Sequence, residues 1–172
     1  FNIKISGIDY DAKYIFSDLG YNFLPSEISA AFALEQIKKL KSNFKIRTRN
    51  FRFLRNFFSI NSNFFEVPKN DPKIKTAWLA FPLLIKKNKY FDRTDLQIFL
   101  EKNNIQTRTI FTGNILKQPI MKNQKYKKNR IAEINSTDIM ARGMLLGCHQ
   151  SLKLKDMKRM TDTIKKYIKK FK

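Results

Sequence analysis

Ile37, Leu40, Phe44, Phe51, Leu54 and Phe58 follow one another in steps of three and four, with Arg47 taking one place in the stripe. That period lays one apolar face along a helix. No Gly or Pro interrupts the chain from Ser26 to Val67, and Ser26 is a good N-cap, with Pro25 just outside it. Glu27 places a negative charge in the first turn, where the helix dipole favours it. The pattern predicts a helix from Ser26 to about Phe58. Ala30, Ala31 and Ala33 would let another backbone approach closely, and a helix this long needs a partner surface, for which a neighbouring subunit is a fair candidate.

The second half of the chain changes period. "NSNFFEVPKNDPK" reads as a loop, with Pro68 and Pro72 as breakers. "TAWLAFPLLI", Thr76 to Ile85, is apolar at both alternating positions, which predicts a strand covered on both faces. Pro82 has no N–H for a ladder and marks an edge or a bulge. Asp92 caps a predicted helix with Leu96, Phe99 and Leu100, ending near Asn103 and Asn104. "IQTRTIF", Ile105 to Phe111, alternates as a strand. Ser136 or Thr137 opens a short predicted helix ending at Gly143, and Met157, Met160, Ile164, Tyr167, Ile168 and Phe171 give the last helix its buried face. The order points to an α/β fold: a long helix followed by a small sheet covered by helices.

Composition narrows the function classes. The 172 residues suffice for one domain or one part of a larger fold, and 16 Phe supply an ample core. No apolar run is long enough to span a bilayer, so no membrane partner is expected. The chain begins at Phe rather than Met and reads as truncated at its start. A single Cys, Cys148, excludes an internal disulfide and suits a cytoplasmic location. The net charge of +21 raises nucleic-acid binding as an alternative. However, the basic residues are dispersed, and the abundance of Lys, Asn, Ile and Phe together suits AT-rich coding. The expectation is no nucleic acid, but a positive field that gathers anionic substrates.

Catalytic signatures are sparse. The chain has no glycine-rich phosphate loop, no H-E-x-x-H and no G-x-S-x-G, and its single His and single Cys make no standard zinc site, so no metal is expected. His149 follows Cys148, but neighbours on a strand face opposite ways, which favours a buried structural Cys over a nucleophile pair. "TRTIFTGNILKQP" is more informative. Arg108 offers a planar fork of donors to phosphate or carboxylate, and Asn114, beyond the Gly113 turn, offers both donor and acceptor. An ordinary strand-end Arg and turn Asn explain the same residues.

"YIFSDLGYNFLPSEISAAFALEQIKKL", followed by "RTRNFRFL", resembles the helix entry of the DegT/DnrJ-type sugar aminotransferases, which have the type I pyridoxal-phosphate fold. The shared elements are Gly20-Tyr21-Asn22, Ser26-Glu27, Ala30-Ala31, Gln36-Ile37, and Arg47 with Asn50. "DYDAKYIFSDLGYN", "TAWLAFPLLI", "NNIQTRTIFTGNILKQP" and "MLLGCHQSL" are similar to segments of the nucleotide-deoxysugar 3-dehydratases of lipopolysaccharide biosynthesis. The resemblance runs over essentially the whole chain.

The resemblance implies the C-terminal portion of such an enzyme. Residues 1–25 would end the large cofactor domain, 26–67 would form the connecting helix and its exit loop, and 68–172 would form a small α/β domain. It implies pyridoxal or pyridoxamine 5'-phosphate as cofactor, a homodimer with shared active sites, and a nucleotide-linked 4-keto-6-deoxyhexose as substrate. Asn22 would reach the cofactor phosphate of the neighbouring subunit, and Tyr21 would shape the same pocket. Arg108, Asn114 and His149 would face the substrate. Phe23-Leu24-Pro25 departs from the polar residues usual after G-Y-N. The Schiff-base position, Lys in aminotransferases and His in dehydratases, would lie upstream, so no catalytic residue is assigned here. These 172 residues alone are then expected to be inactive. Dehydration at C3 is the favoured reaction, and amino transfer is the alternative.

Overall fold

The computed structural model describes residues 2–5, 8–11, 18–21, 23–69, 71, 73–127 and 129–171. The chain divides into two compact units, 1–38 and 39–172. In the first, β1 (Asn2–Ile5) and β2 (Ile8–Asp11) form an antiparallel pair with Ile3 opposite Tyr10 and Lys4 opposite Asp9. The long helix α1 (Glu27–Ile60) begins in this unit and continues into the second. Its start agrees with the Ser26 expectation: the Ser26 carbonyl accepts the Ala30 amide at 3.0 Å and closes the first turn.

The second unit is built on a four-stranded antiparallel sheet in the order β3-β4-β6-β5. The strands are β3 (Phe65–Glu66), β4 (Ala80–Ile85), β5 (Thr107–Thr109) and β6 (Gly143–Gly147). Around them lie α2 (Arg93–Lys102), α3 (Arg130–Arg142) and α4 (Leu154–Ile168). One core cluster joins Phe51, Leu54 and Phe58 of α1, Leu96 and Leu100 of α2, and Met157, Ile164 and Ile168 of α4 to Phe81, Leu83, Ile85, Met144 and Leu146 of the sheet. Aromatic rings carry much of this contact: Phe51 stacks on Trp78 with centroids 4.6 Å apart, and Phe58 on Phe81 at 5.4 Å.

Several elements match their sequence signals. Asp92 caps α2 in a reciprocal box with Asp95, and the helix ends at Asn103, followed by Asn104 at φ 56°. On α4, Met157, Met160, Ile164, Tyr167 and Ile168 are buried, and Phe171 packs against the same cluster.

Others are corrected. β4 starts at Ala80, so Thr76–Leu79 lie outside the strand, and only Phe81, Leu83 and Ile85 are fully buried. Ala80, Pro82 and Leu84 face a half-buried side, because an antiparallel strand needs only one packed face. Pro82 has a strand on one side only: β6 supplies Leu145 opposite it, whereas β3 reaches no further than Leu84. That fits the expected local edge. β3 falls within a segment read as loop, and β5 keeps only three residues of the predicted strand. Pro72 lies outside the described residues.

The helix before β6 also starts earlier than Ser136. Asn129 caps it by accepting the Ala132 amide at 3.0 Å, and Ser136 bonds back to the Ala132 carbonyl within the helix. A Ser inside a helix bonds back to the carbonyl four residues earlier instead of capping. The helix ends at Gly143 as predicted. No described helix is long and apolar enough to cross a membrane.

Candidate functional site

The described residues just ahead of α1, 18–21 and 23–26, are exposed. Tyr21 is exposed and stacks on Phe23 with centroids 5.7 Å apart, and a Cβ added to Gly20 would meet nothing within 4 Å. Asn22, the residue expected to reach a cofactor phosphate, lies outside the described residues, as does 12–17 of the motif before it.

The sheet places the three expected substrate-facing residues apart. Arg108 is exposed on β5, opposite Leu145 of β6. The register runs Thr107 to Leu146 and Thr109 to Met144, so the two strands lie head to tail. His149 therefore follows one end of β6, whereas Asn114 follows β5 toward the other end. A five-residue strand is about 16 Å long.

Asn114 is buried, and its side-chain amide is fully used. Its Oδ1 accepts the Leu116 amide at 3.0 Å and caps the single 3-10 turn Ile115–Lys117. Its Nδ2 donates to Thr137 Oγ1 at 2.9 Å and to the Glu133 carbonyl at 3.3 Å, both on α3. Gly113 has φ +64°, and a Cβ there would sit 2.5 Å from the Met140 side chain. The Gly113-Asn114 pair thus presses the turn carrying Lys117 against α3.

His149 sits in a loop held from α1. The Asn50 side chain is buried and donates from Nδ2 to the carbonyls of His149 at 3.1 Å and Leu152 at 3.0 Å. Arg49 donates to Asn50 Oδ1 at 2.9 Å, and Arg47 Nε donates to Gln150 Oε1 at 2.8 Å. Arg47, the charge that interrupted the apolar stripe, and Asn50 therefore clasp the segment after β6. The sequence showed them only as a shared R-x-x-N pattern. Their partners are about a hundred residues away, and no local signal announces such a contact.

Cys148 is buried, and its Sγ donates to the Trp78 carbonyl at 3.4 Å. Burial pushes its thiol up to about 12, against a smaller opposing pull from Arg47. A protonated, enclosed thiol is a poor nucleophile, which agrees with the structural reading of this residue.

One further feature escaped the sequence reading. An open groove of about 1150 Å³ runs beside α3, and its cationic lining is Lys86, Lys87, Lys117, Arg130 and Arg142. Arg142 is engaged: it pairs with Asp138 and donates to the Ile85 carbonyl at 2.8 Å. The spacing of Asp138 and Arg142 was readable as a helical i,i+4 pair. The convergence of three separate elements on the groove was not.

The comparisons agree with this architecture. The chain is 33% identical over 144 residues to the lipopolysaccharide biosynthesis protein RfbH of Salmonella typhimurium, covering 83% of this chain and 32% of that protein. It is 36% identical over 132 residues to the dTDP-4-dehydro-2,6-dideoxy-D-glucose 3-dehydratase of Saccharopolyspora spinosa, covering 76% and 28%. Among solved structures, the E. coli GDP-4-keto-6-deoxy-D-mannose 3-dehydratase with bound hydrated PLP matches with a TM-score of 0.76 at 27% identity, over 88% of this chain and 38% of that one. The chain thus spans about a third of the length of these relatives. Residues 2–165 match the model of the DegT/DnrJ/EryC1/StrS aminotransferase family. The chain belongs to that family.

Proposed function

We propose that the chain forms the C-terminal portion of a pyridoxal-phosphate-dependent enzyme that removes the C3 hydroxyl of a nucleotide-linked 4-keto-6-deoxyhexose, in dideoxysugar synthesis for lipopolysaccharide. The observation that carries this reading is the likeness to a solved 3-dehydratase across nearly nine-tenths of the chain. In this reading the enzyme is a cytoplasmic homodimer with shared active sites, the Schiff-base position lies outside these residues, and the 172 residues alone do not turn over. The cofactor, when bound, supplies the electron sink that lets a hydroxyl leave beside the former ketone.

The chain's own residues do the holding. The open loop before α1 fits a phosphate, because it combines exposed backbone at Gly20 with the amino end of a long helix. Asn22 donates from there to the cofactor phosphate of the partner subunit, with Tyr21 beside it. Arg108, exposed on β5, offers its guanidinium to the substrate. Asn114 acts through the turn that it caps, and His149 through the loop that Asn50 holds.

The family's aminotransferases provide the second reading, since the family model itself carries that activity in its description. The complete enzyme, loaded with pyridoxamine phosphate and given a nucleotide 4-keto-6-deoxyhexose, separates the two. NMR of the product should show a methylene at C3. A C3 hydroxyl retained beside a new C4 amine would establish amino transfer instead.

A further inference from the structure

We propose that the groove beside α3 binds the diphosphate of the nucleotide, through Lys117, Arg130, Lys86 and Lys87. This rests on the nucleotide-sugar reading above and adds to it a site that Arg108, Asn114 and His149 do not make.

The cations come from three places. Lys86 and Lys87 follow β4, Lys117 ends the 3-10 turn, and Arg130 opens α3. Three carboxylates share the lining: Glu66, Glu133 and Asp138. Asp138 is committed to Arg142. Among the described residues, no carboxylate oxygen lies within 4.0 Å of the charged nitrogens of the other four cations. Set against Glu66 and Glu133, the four unpaired cations still leave the lining net positive, which favours an anion with more than one charge. A diphosphate suits them better than a single carboxylate, because it spreads charge over two groups that separate lysines and a planar guanidinium can share.

The way the groove is built supports the assignment. The buried Asn114 amide serves to cap the turn that ends in Lys117 and to tie it to Thr137, a lining residue. Gly113 permits the close approach to Met140 that brings the turn onto α3. The G-N-I-L-K stretch thus fixes a lysine at the groove wall. An ordinary turn would leave that lysine on a mobile loop.

Calorimetric titration of the protein with inorganic pyrophosphate tests the assignment. Lys117 and Arg130 are exposed, so Lys117→Ala combined with Arg130→Ala keeps the fold. This pair should weaken binding at least about tenfold, the scale of two charge-assisted contacts. Lys155→Ala with Lys158→Ala, on exposed positions of α4, removes the same charge elsewhere and should change it less than about twofold. Equal loss in both double variants would reduce the effect to the general positive field and overturn the site. So would unchanged affinity in the first, or no binding by the unaltered protein at millimolar pyrophosphate. Pyrophosphate bound at the groove by a complete enzyme that fails to turn over any keto sugar would support the site and defeat the reaction. Turnover with an unchanged KM in the Lys117/Arg130 variant would do the opposite.

Discussion

Asn50 is the residue on which the segment after β6 most depends. Its amide donates to two carbonyls at 3.0–3.1 Å from within the core, and truncation would remove both bonds together with the Oδ1 that accepts from Arg49. Asn50→Ala should cost about 2–4 kcal/mol in urea unfolding. A loss below about 0.5 kcal/mol would show that the clasp is dispensable. Cys148 gives a second test at this scale. Its thiol is raised from 9.0 to about 12, so the folded state favours the neutral form. That contribution to stability is complete below pH 9 and is lost as pH rises through about 12. Tyr167 is raised in the same direction, by burial first and then by Asp95 and Asp92, so it adds to the same alkaline loss. Native protein at pH 8 should resist thiol-alkylating reagents and react once unfolded. Rapid labelling of the folded protein would contradict the burial. The buried character of Cys148 was legible from its apolar neighbours, whereas the fully used amide of Asn114 was not. A turn Asn and a ligand-binding Asn look alike until α3 is placed beside them.

The two parts of α1 behave differently as an element. Its apolar period runs from Ile37 to Phe58 with a break at Arg47, yet Leu54 and Phe58 are fully buried, whereas Ile37 and Leu40 are more than half exposed. Leu54→Ala should therefore cost about 2–5 kcal/mol, and Ile37→Ala should change the stability of this chain by less than about 0.5 kcal/mol, as measured by chemical denaturation. Comparable losses at the two positions would mean that the first turns of α1 are packed. Periodicity announced the helix and its facing side because both are local properties. It did not say which stretch of that side is covered, because cover depends on residues remote in sequence. The same limit explains α3. Asn129, Ser136 and Thr137 all suit a cap by residue type; Asn129 takes that role by accepting the Ala132 amide, while Thr137 lies inside the helix and accepts from Asn114.

At the scale of the whole molecule, the order of long helix, small sheet and covering helices was readable from the sequence, and the family assignment followed from motifs spread along the chain. The antiparallel topology, β3 within a loop-like segment and the basic groove needed the fold. The net charge of +21 looked dispersed in sequence, yet α3 and the turn before it bring part of it together. Its consequence for function depends on the reaction, and the two readings move atoms differently. Replacing the C3 hydroxyl by hydrogen is a two-electron reduction. Pyridoxamine phosphate would supply the electrons on passing to pyridoxal phosphate, the oxygen would leave as water, and the solvent would supply the proton at C3. Amino transfer leaves C3 untouched and adds nitrogen at C4. The most direct measurement is therefore mass spectrometry and NMR of the nucleotide-sugar product formed by the complete enzyme in deuterated water. We predict loss of one oxygen and gain of deuterium at C3; an intact, unlabelled C3 hydroxyl with an amine at C4 would contradict the dehydratase account.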